Sequence, residues 1–384
     1  MKGLKLAAPI TALLLLAAIN FLLLLRHKSV YLSDSYFYKH VFYEMLGDDF
    51  SEARYKTLSG LETQIYDEIS KNFFFNENAY RNSLAFFTKR PMYPFIATLF
   101  FRFGKNIDFA FIFPQFVAYL GCIYLFYIFL KQSMAHMWGV LGAALLVGFY
   151  PLLDWSSYIL TDTLSTFFWL LEMLFVWYYL KSSKRKWLVF YALFLVISLL
   201  NREQTVLFLP YSFLLLISSK IIRIFKRNFT LTKNVFLVTL LIVSSYLIAS
   251  ILTKQKSLYD TIIYTQNNYG LTQKSYTIIE TAIYFKNEII KTQVGLVEEL
   301  LRYRWWLVVT VIGVIGILRD LVKQKLMEMD ILMLVSGVSA YLSLFFYPVL
   351  SYRYIYPTII MLIYFALKHI SLYFENLETN KEHA

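Results

Sequence analysis

Cys122 is the only cysteine in 384 residues, so a monomer can form no disulfide and no cysteine-based metal site. Histidine is nearly as scarce. The five, at positions 27, 40, 136, 369 and 383, show no metal-ligand spacing, and neither a zinc-protease helix motif nor a Ser-His-Asp signature is present. No Walker sequence or Gly-rich nucleotide loop occurs, which argues against use of ATP. Charge is sparse as well: 16% of residues carry it, where a soluble domain has about a quarter. Acidic residues are the rarer sign, 25 against 37 Lys+Arg, for a net charge of +12. The basic residues sit in short clusters between apolar stretches, not on one face, which excludes a nucleic-acid binder. No internal repeat is visible, which weighs against a transporter built from inverted repeats.

What the chain has in excess is apolar. Hydrophobic residues make up 58%, with 35 Phe and 31 Tyr, and mean hydropathy is +0.54. So much apolar surface cannot be hidden behind so few charges in a soluble fold. The expected fold class is an all-α polytopic integral membrane protein with about ten transmembrane helices. The first runs over 7–25, longer than a signal-peptide core and without a cleavage site, so it is read as retained. The others are expected near 109–130, 136–152, 158–180, 187–200, 205–219, 234–252, 305–318, 330–350 and 355–374.

Orientation follows from the short loops. Segments that alternate to one side hold 17 Lys/Arg, and the three short loops on the other hold 2, which places both termini in the cytoplasm. The sequon Asn228-Phe229-Thr230 then falls inside, leaving a bacterial or archaeal plasma membrane as the simpler expectation. The chain divides into 1–25, an outer loop 26–108, a helical block 109–252, a second outer loop 253–304, and a last block 305–384. In the first loop, Pro91–Phe103 is too short to span and suits an interfacial helix. The second loop is expected to form one or two short helices near 277–290 and 294–302.

Three groups of residues offer chemistry. Asp34 lies just past the first span in LSDSYFY. It is either a general base at the membrane surface or part of a helix N-cap. Asp154 and Asp162 flank the third outer turn, where Asp162 opens a span and capping is again the simple reading. Three carboxylates on one surface could supply a base, an orienting group or a cation site. Arg202, with Glu203 beside it, and Arg353 stand on the side that disfavours cations. They either hold a phosphate or snorkel to lipid headgroups, with Glu203 as a partner for Arg202. Arg81, Lys89 and Arg90 could serve either end. Glu172, mid-span, is read as a structural interhelical contact.

Five segments in order carry a resemblance: LSDSYFY, RPMYPFIATLFFRFG, YILTDTLSTFFWLL, LLNREQTVLFLP and SYRYIYPTIIML. Together, over roughly 5–370, they resemble the GT-C glycosyltransferases, particularly the aminoarabinose-transferase and protein-mannosyltransferase-like bacterial members. The first motif carries Asp-Ser where those mannosyltransferases pair two acids. The resemblance implies a sugar transferase whose donor is a polyprenyl-phosphate-linked sugar and whose acceptor is a lipid, glycan or protein at the outer face. By that resemblance Asp34 matches the first catalytic carboxylate and Asp162 (or Asp154) the second acidic motif, while Arg202 and Arg353 lie where phosphate-binding cations would be useful. The expected catalytic residues are Asp34 and Asp162, and the expected substrate-binding residues are Asp154, Arg202, Glu203, Arg353, Arg90 and Tyr93. No cofactor is certain, and a divalent metal stays open. Two other classes remain: a polysaccharide polymerase or ligase, and a transporter or flippase of lipid-linked saccharide.

Overall fold

A computed structural model describes residues 2–59, 61, 68–222, 228–267, 274–347 and 351–382. Part of the basic loop 220–233 and His383 lie outside the described residues. Among the described residues there is no strand. The first helix, α1 (Lys2–His27), is followed by five helices in the first long loop: α2 (Ser33–Met45), α3 (Phe50–Leu58), α4 (Glu68–Phe75), α5 (Glu77–Leu84) and α6 (Met92–Gly104). The central block comprises α7 (Ile107–Lys131), α8 (His136–Val147), α9 (Tyr150–Ser156), α10 (Asp162–Ser182), α11 (Arg185–Asn201), α12 (Phe208–Ile221) and α13 (Phe229–Leu252). Then come α14 (Leu258–Gln266), α15 (Ile278–Arg302), α16 (Arg304–Val322), α17 (Glu328–Tyr341), α18 (Ser343–Phe346) and α19 (Tyr356–Glu382).

Eight helices among the described residues are long and apolar enough to cross a membrane. The two other expected spans are helical but depart from a single long rod. The third is α8 and α9 bent by 59°, where Gly148 ends one helix and Pro151 starts the next. The fifth is α11, only 17 residues long because the extended backbone of Arg202 stops it. In the second long loop the two expected short helices are one continuous α15, started by a reciprocal Thr277–Glu280 capping box, while α14 precedes it.

The bundle has a clear centre. Of the apolar window in α10, 72% is buried within the protein, against 17% for α1 and for α13, whose apolar surfaces face outward. Backbones approach closely at α16 and α19: a Cβ on Gly313 would meet the Leu362 carbonyl at 2.6 Å, the small-residue packing that membrane helices favour. The first loop is anchored rather than loose. Phe42 of α2 packs edge-to-face on Phe101 of α6 at 5.3 Å and tilted against Phe111 of α7 at 5.4 Å. In α6, Tyr93, Pro94, Ala97 and Thr98 are buried while Phe95, Leu99 and Phe103 are exposed, the two-sided pattern of a helix lying in an interface. Glu172 is wholly buried in α10, toward Ser198 of α11.

Candidate active site

The loop into α10 is fastened before the helix begins. Ile159 N–H donates to the Val30 carbonyl at 2.9 Å, the Gln115 amide of α7 donates to the Leu160 carbonyl, and Asn201 Nδ2 of α11 donates to Ser165 Oγ at 2.7 Å. Thr161 occupies the cap position, leaving Asp162 as the first helical residue. Its side chain caps nothing and hydrogen-bonds the Arg202 guanidinium instead. Asp162 is 3% exposed and Arg202 is buried with it. A buried charge needs such a partner, because the Coulombic attraction must offset desolvation. The same Asp162 carboxylate oxygen lies 3.8 Å from Arg353 Nε.

Arg353 is carried by a short 3-10 turn, Tyr352–Tyr354, before α19. That turn is pinned through one carbonyl: Gln204 Nε2 and Ser343 Oγ donate to Tyr354 O at 2.6 and 2.9 Å. The guanidinium lies over the Trp155 and Tyr354 rings, 4.7 and 5.1 Å from their centroids, a setting that favours Arg over Lys. Its Nη1 is 3.8 Å from Asp34 Oδ2.

Asp34 reaches this point from α2. Leu32 holds the cap position, and its N–H donates to Ser35 Oγ at 2.9 Å. Asp34 is therefore not the cap. Its side chain opens onto the cavity and keeps 36% of its exposure. Burial pushes its carboxyl above the usual carboxylate range, and Arg353 and Arg90 pull it back only in part. A carboxylate placed so is a better base than a fully salt-bridged one.

A second ion pair closes the far wall. Glu203 does not pair with its neighbour Arg202. It takes Lys89 Nζ at 2.5 Å and Arg90 Nη2 at 2.8 Å, and accepts a hydrogen bond from the Tyr347 hydroxyl at 2.8 Å. Lys89 also donates to the Lys256 carbonyl at 2.9 Å, joining the second long loop to this wall. Burial lowers the Lys89 ammonium, with Glu203 opposing.

Asp34, Asp162 and Glu203 thus line, with Arg90, Arg202 and Arg353, one cavity of about 40 Å³, room for two or three waters. Two guanidinium N–H groups here are buried without a hydrogen-bond acceptor, those of Arg90 Nε and Arg353 Nε. Buried donors in this state cost free energy until an acceptor arrives. Three guanidiniums and three carboxylates line one hollow, and Lys89 adds a fourth cation through Glu203, an arrangement that suits an incoming anion.

Two expected binding residues lie elsewhere. Asp154 binds Lys28 Nζ at 2.6 Å and accepts from the Tyr150 hydroxyl at 3.1 Å, tying the end of α1 to α9 outside the cavity. Tyr93 is buried, and its hydroxyl donates to the Phe111 carbonyl at 3.0 Å, bracing α6 on α7. Arg81 pairs with Glu77 on the exposed side of α5. Conversely, Tyr38, Gln204, Tyr347 and Tyr354 line the cavity without having been singled out. Only Tyr38 had a sequence signal, four residues after Asp34 and so on the same helical face. Among the described residues no cluster of three or more His, Cys, Asp or Glu could hold a metal ion. The acids here are each matched to arginine or lysine.

Residues 88–249 match the family model for dolichyl-phosphate-mannose-protein mannosyltransferase, a little under half of the chain. The matched stretch includes Lys89, Arg90, Asp162, Arg202 and Glu203, and ends before Arg353. No curated protein and no solved structure matches the chain. Set on an all-helical, multi-span architecture, the family match supports a membrane glycosyltransferase of the GT-C superfamily.

Proposed function

We infer that the cavity transfers a sugar from a polyprenyl-phosphate-linked donor to a hydroxyl acceptor at the outer face of the plasma membrane. The observation that carries this reading is the pair of unsatisfied guanidinium N–H groups, Arg90 Nε and Arg353 Nε, at the cavity onto which the partly exposed Asp34 carboxylate opens. In the reaction the acceptor oxygen attacks the anomeric carbon and its proton passes to Asp34. The bond from that carbon to the phosphate oxygen breaks, and the electron pair leaves with the phosphate. Arg353, Arg90 and Arg202 meet the charge that develops there. Asp162 acts on the arginines, holding Arg202 directly and standing beside Arg353. It is a positioning residue in this scheme rather than a second base. The small cavity fits the phosphate oxygens, with the sugar at its open side, where Asp34 keeps its exposure.

The outer-face assignment rests on the 17-to-2 bias of Lys and Arg in the short segments. Glu52→Cys in a Cys122→Ser background should react with an impermeant thiol reagent in intact cells. Labelling only after permeabilisation would put the site on the inner face. The reaction itself is tested with purified protein and a labelled polyprenyl-phosphate sugar. Release of polyprenyl phosphate with sugar on an acceptor is expected. Movement of intact lipid-linked saccharide across liposomes, with none cleaved, would replace the transferase reading with a flippase.

A further inference from the structure

Tyr38 stands one helical turn after Asp34 on the same face of α2. Its ring is 1% exposed and locked edge-on between Phe87 and Tyr93, at centroid distances of 5.1 and 5.6 Å. Tyr38 lines the cavity. There Arg90 Nη1 donates to Tyr38 Oη at 3.2 Å, and Thr161 Oγ1 lies 3.2 Å away.

The direction of these bonds decides what the phenol can do. A guanidinium has no acceptor, so the Tyr38 proton cannot be spent on Arg90. It can point only to Thr161 or into the cavity. The threonine hydroxyl can donate as well as accept, so it can turn and leave the phenol proton for a ligand. A cation on the phenol oxygen polarises the O–H and strengthens it as a donor.

We propose that Tyr38 is a further catalytic residue of this site, donating a hydrogen bond to a phosphate oxygen of the sugar donor as that phosphate departs. The proposal rests on the transferase reading above. No proton leaves Tyr38. As the bond from the anomeric carbon breaks, the electron pair moves onto phosphate oxygen and the existing O–H···O contact tightens. Burial pushes the phenol above its ordinary range, against Arg90, which keeps it protonated as a donor must be. The competing role is a brace that merely fixes Arg90, which Glu203 already holds at 2.8 Å.

Tyr38→Phe keeps the ring and its packing. Its kcat should fall about 10²–10³-fold, the usual loss for one preorganised donor at a developing oxyanion, with KM for the acceptor and the melting temperature unchanged. Binding of farnesyl phosphate, a soluble leaving-group probe, should weaken by about tenfold, because the monoester carries more charge than the donor diester. Thr161→Val serves as the second variant. It removes the competing acceptor, so farnesyl phosphate should bind at least as tightly as to the wild type. Full turnover by Tyr38→Phe would overturn the proposal. So would lost turnover with unchanged farnesyl phosphate affinity, or an equal loss of affinity in Thr161→Val. If the wild type cleaves no lipid-linked sugar, the transferase reading fails by itself. The affinity difference between wild type and Tyr38→Phe still judges the contact.

Discussion

The protein buries two charge networks, at opposite ends of its helices, and they are finished differently. Where α16, α17 and α19 meet, Lys368 Nζ sits between Asp320 at 2.7 Å and Asp330 at 2.5 Å. Asp320 also takes Arg319, and Asp330 takes the Tyr364 hydroxyl and the Met327 N–H. Each charged group there has its partners. At the other end, Asp34, Asp162 and Glu203 meet Arg90, Arg202 and Arg353 around a hollow, with Lys89 paired to Glu203, and two guanidinium N–H groups have no acceptor. The first network is closed and fastens three helices. The second is open in the one way that leaves work for an anion. Burial and charge are common to both, so neither separates them; unsatisfied guanidinium donors gathered at a cavity do.

The sharpest way to break this contrast is to change one cation at each end. Lys368→Ala strands two buried aspartates and should cost about 3–5 kcal/mol of stability, read as lowered melting temperature, while the folded fraction keeps its turnover. Equal stability with lost turnover would mean the closed network takes part in catalysis. Arg353→Lys keeps the charge but loses the planar fork stacked on Trp155 and Tyr354. Turnover should fall about 10²-fold with melting unchanged, and wild-type turnover would return Arg353 to a lipid-facing role.

The sequence revealed much of this contrast, though unevenly. Apolar run length gave the spans, because a helix in hydrocarbon must satisfy its own backbone. The two departures are local: Gly148 and Pro151 bend one span, and Arg202 shortens another. Asp34, Asp162, Arg202 and Arg353 stood out because charges at span ends are costly unless used. Pairing was illegible. Arg202 is adjacent to Glu203 in sequence, yet it bonds Asp162, forty residues earlier, and Glu203 turns to Lys89 and Arg90. Adjacent residues point apart where a helix gives way to extended chain, and only tertiary packing chooses among such partners. Asp154 looked equivalent to Asp162 in the sequence. It differs because Lys28 reaches it first.

That difference yields the smallest expected effect. Asp154→Asn should leave turnover within about twofold and lower stability by about 1 kcal/mol at most, as for other partly exposed ion pairs. A loss approaching that of Arg353→Lys would extend the site to α9. Asp34 should separate from Asp154 in its pH dependence also. Its carboxyl is raised by burial, and only the ionised form can take a proton. Turnover should therefore rise with pH through a limb above the usual Asp value of about 3.9. A limb at or below that value would remove the raised carboxyl from the rate law.

Asp34→Asn in the purified protein, assayed for transfer from a polyprenyl-phosphate sugar with melting temperature in parallel, bears most directly on the open network as a catalytic centre. The substitution keeps shape and removes the base. Since Leu32, not Asp34, holds the cap position, it should leave melting unchanged. Transfer is expected to fall by about 10²–10⁴-fold, the usual share of a general base. Undiminished transfer by a normally stable Asp34→Asn protein would contradict the mechanism at its core.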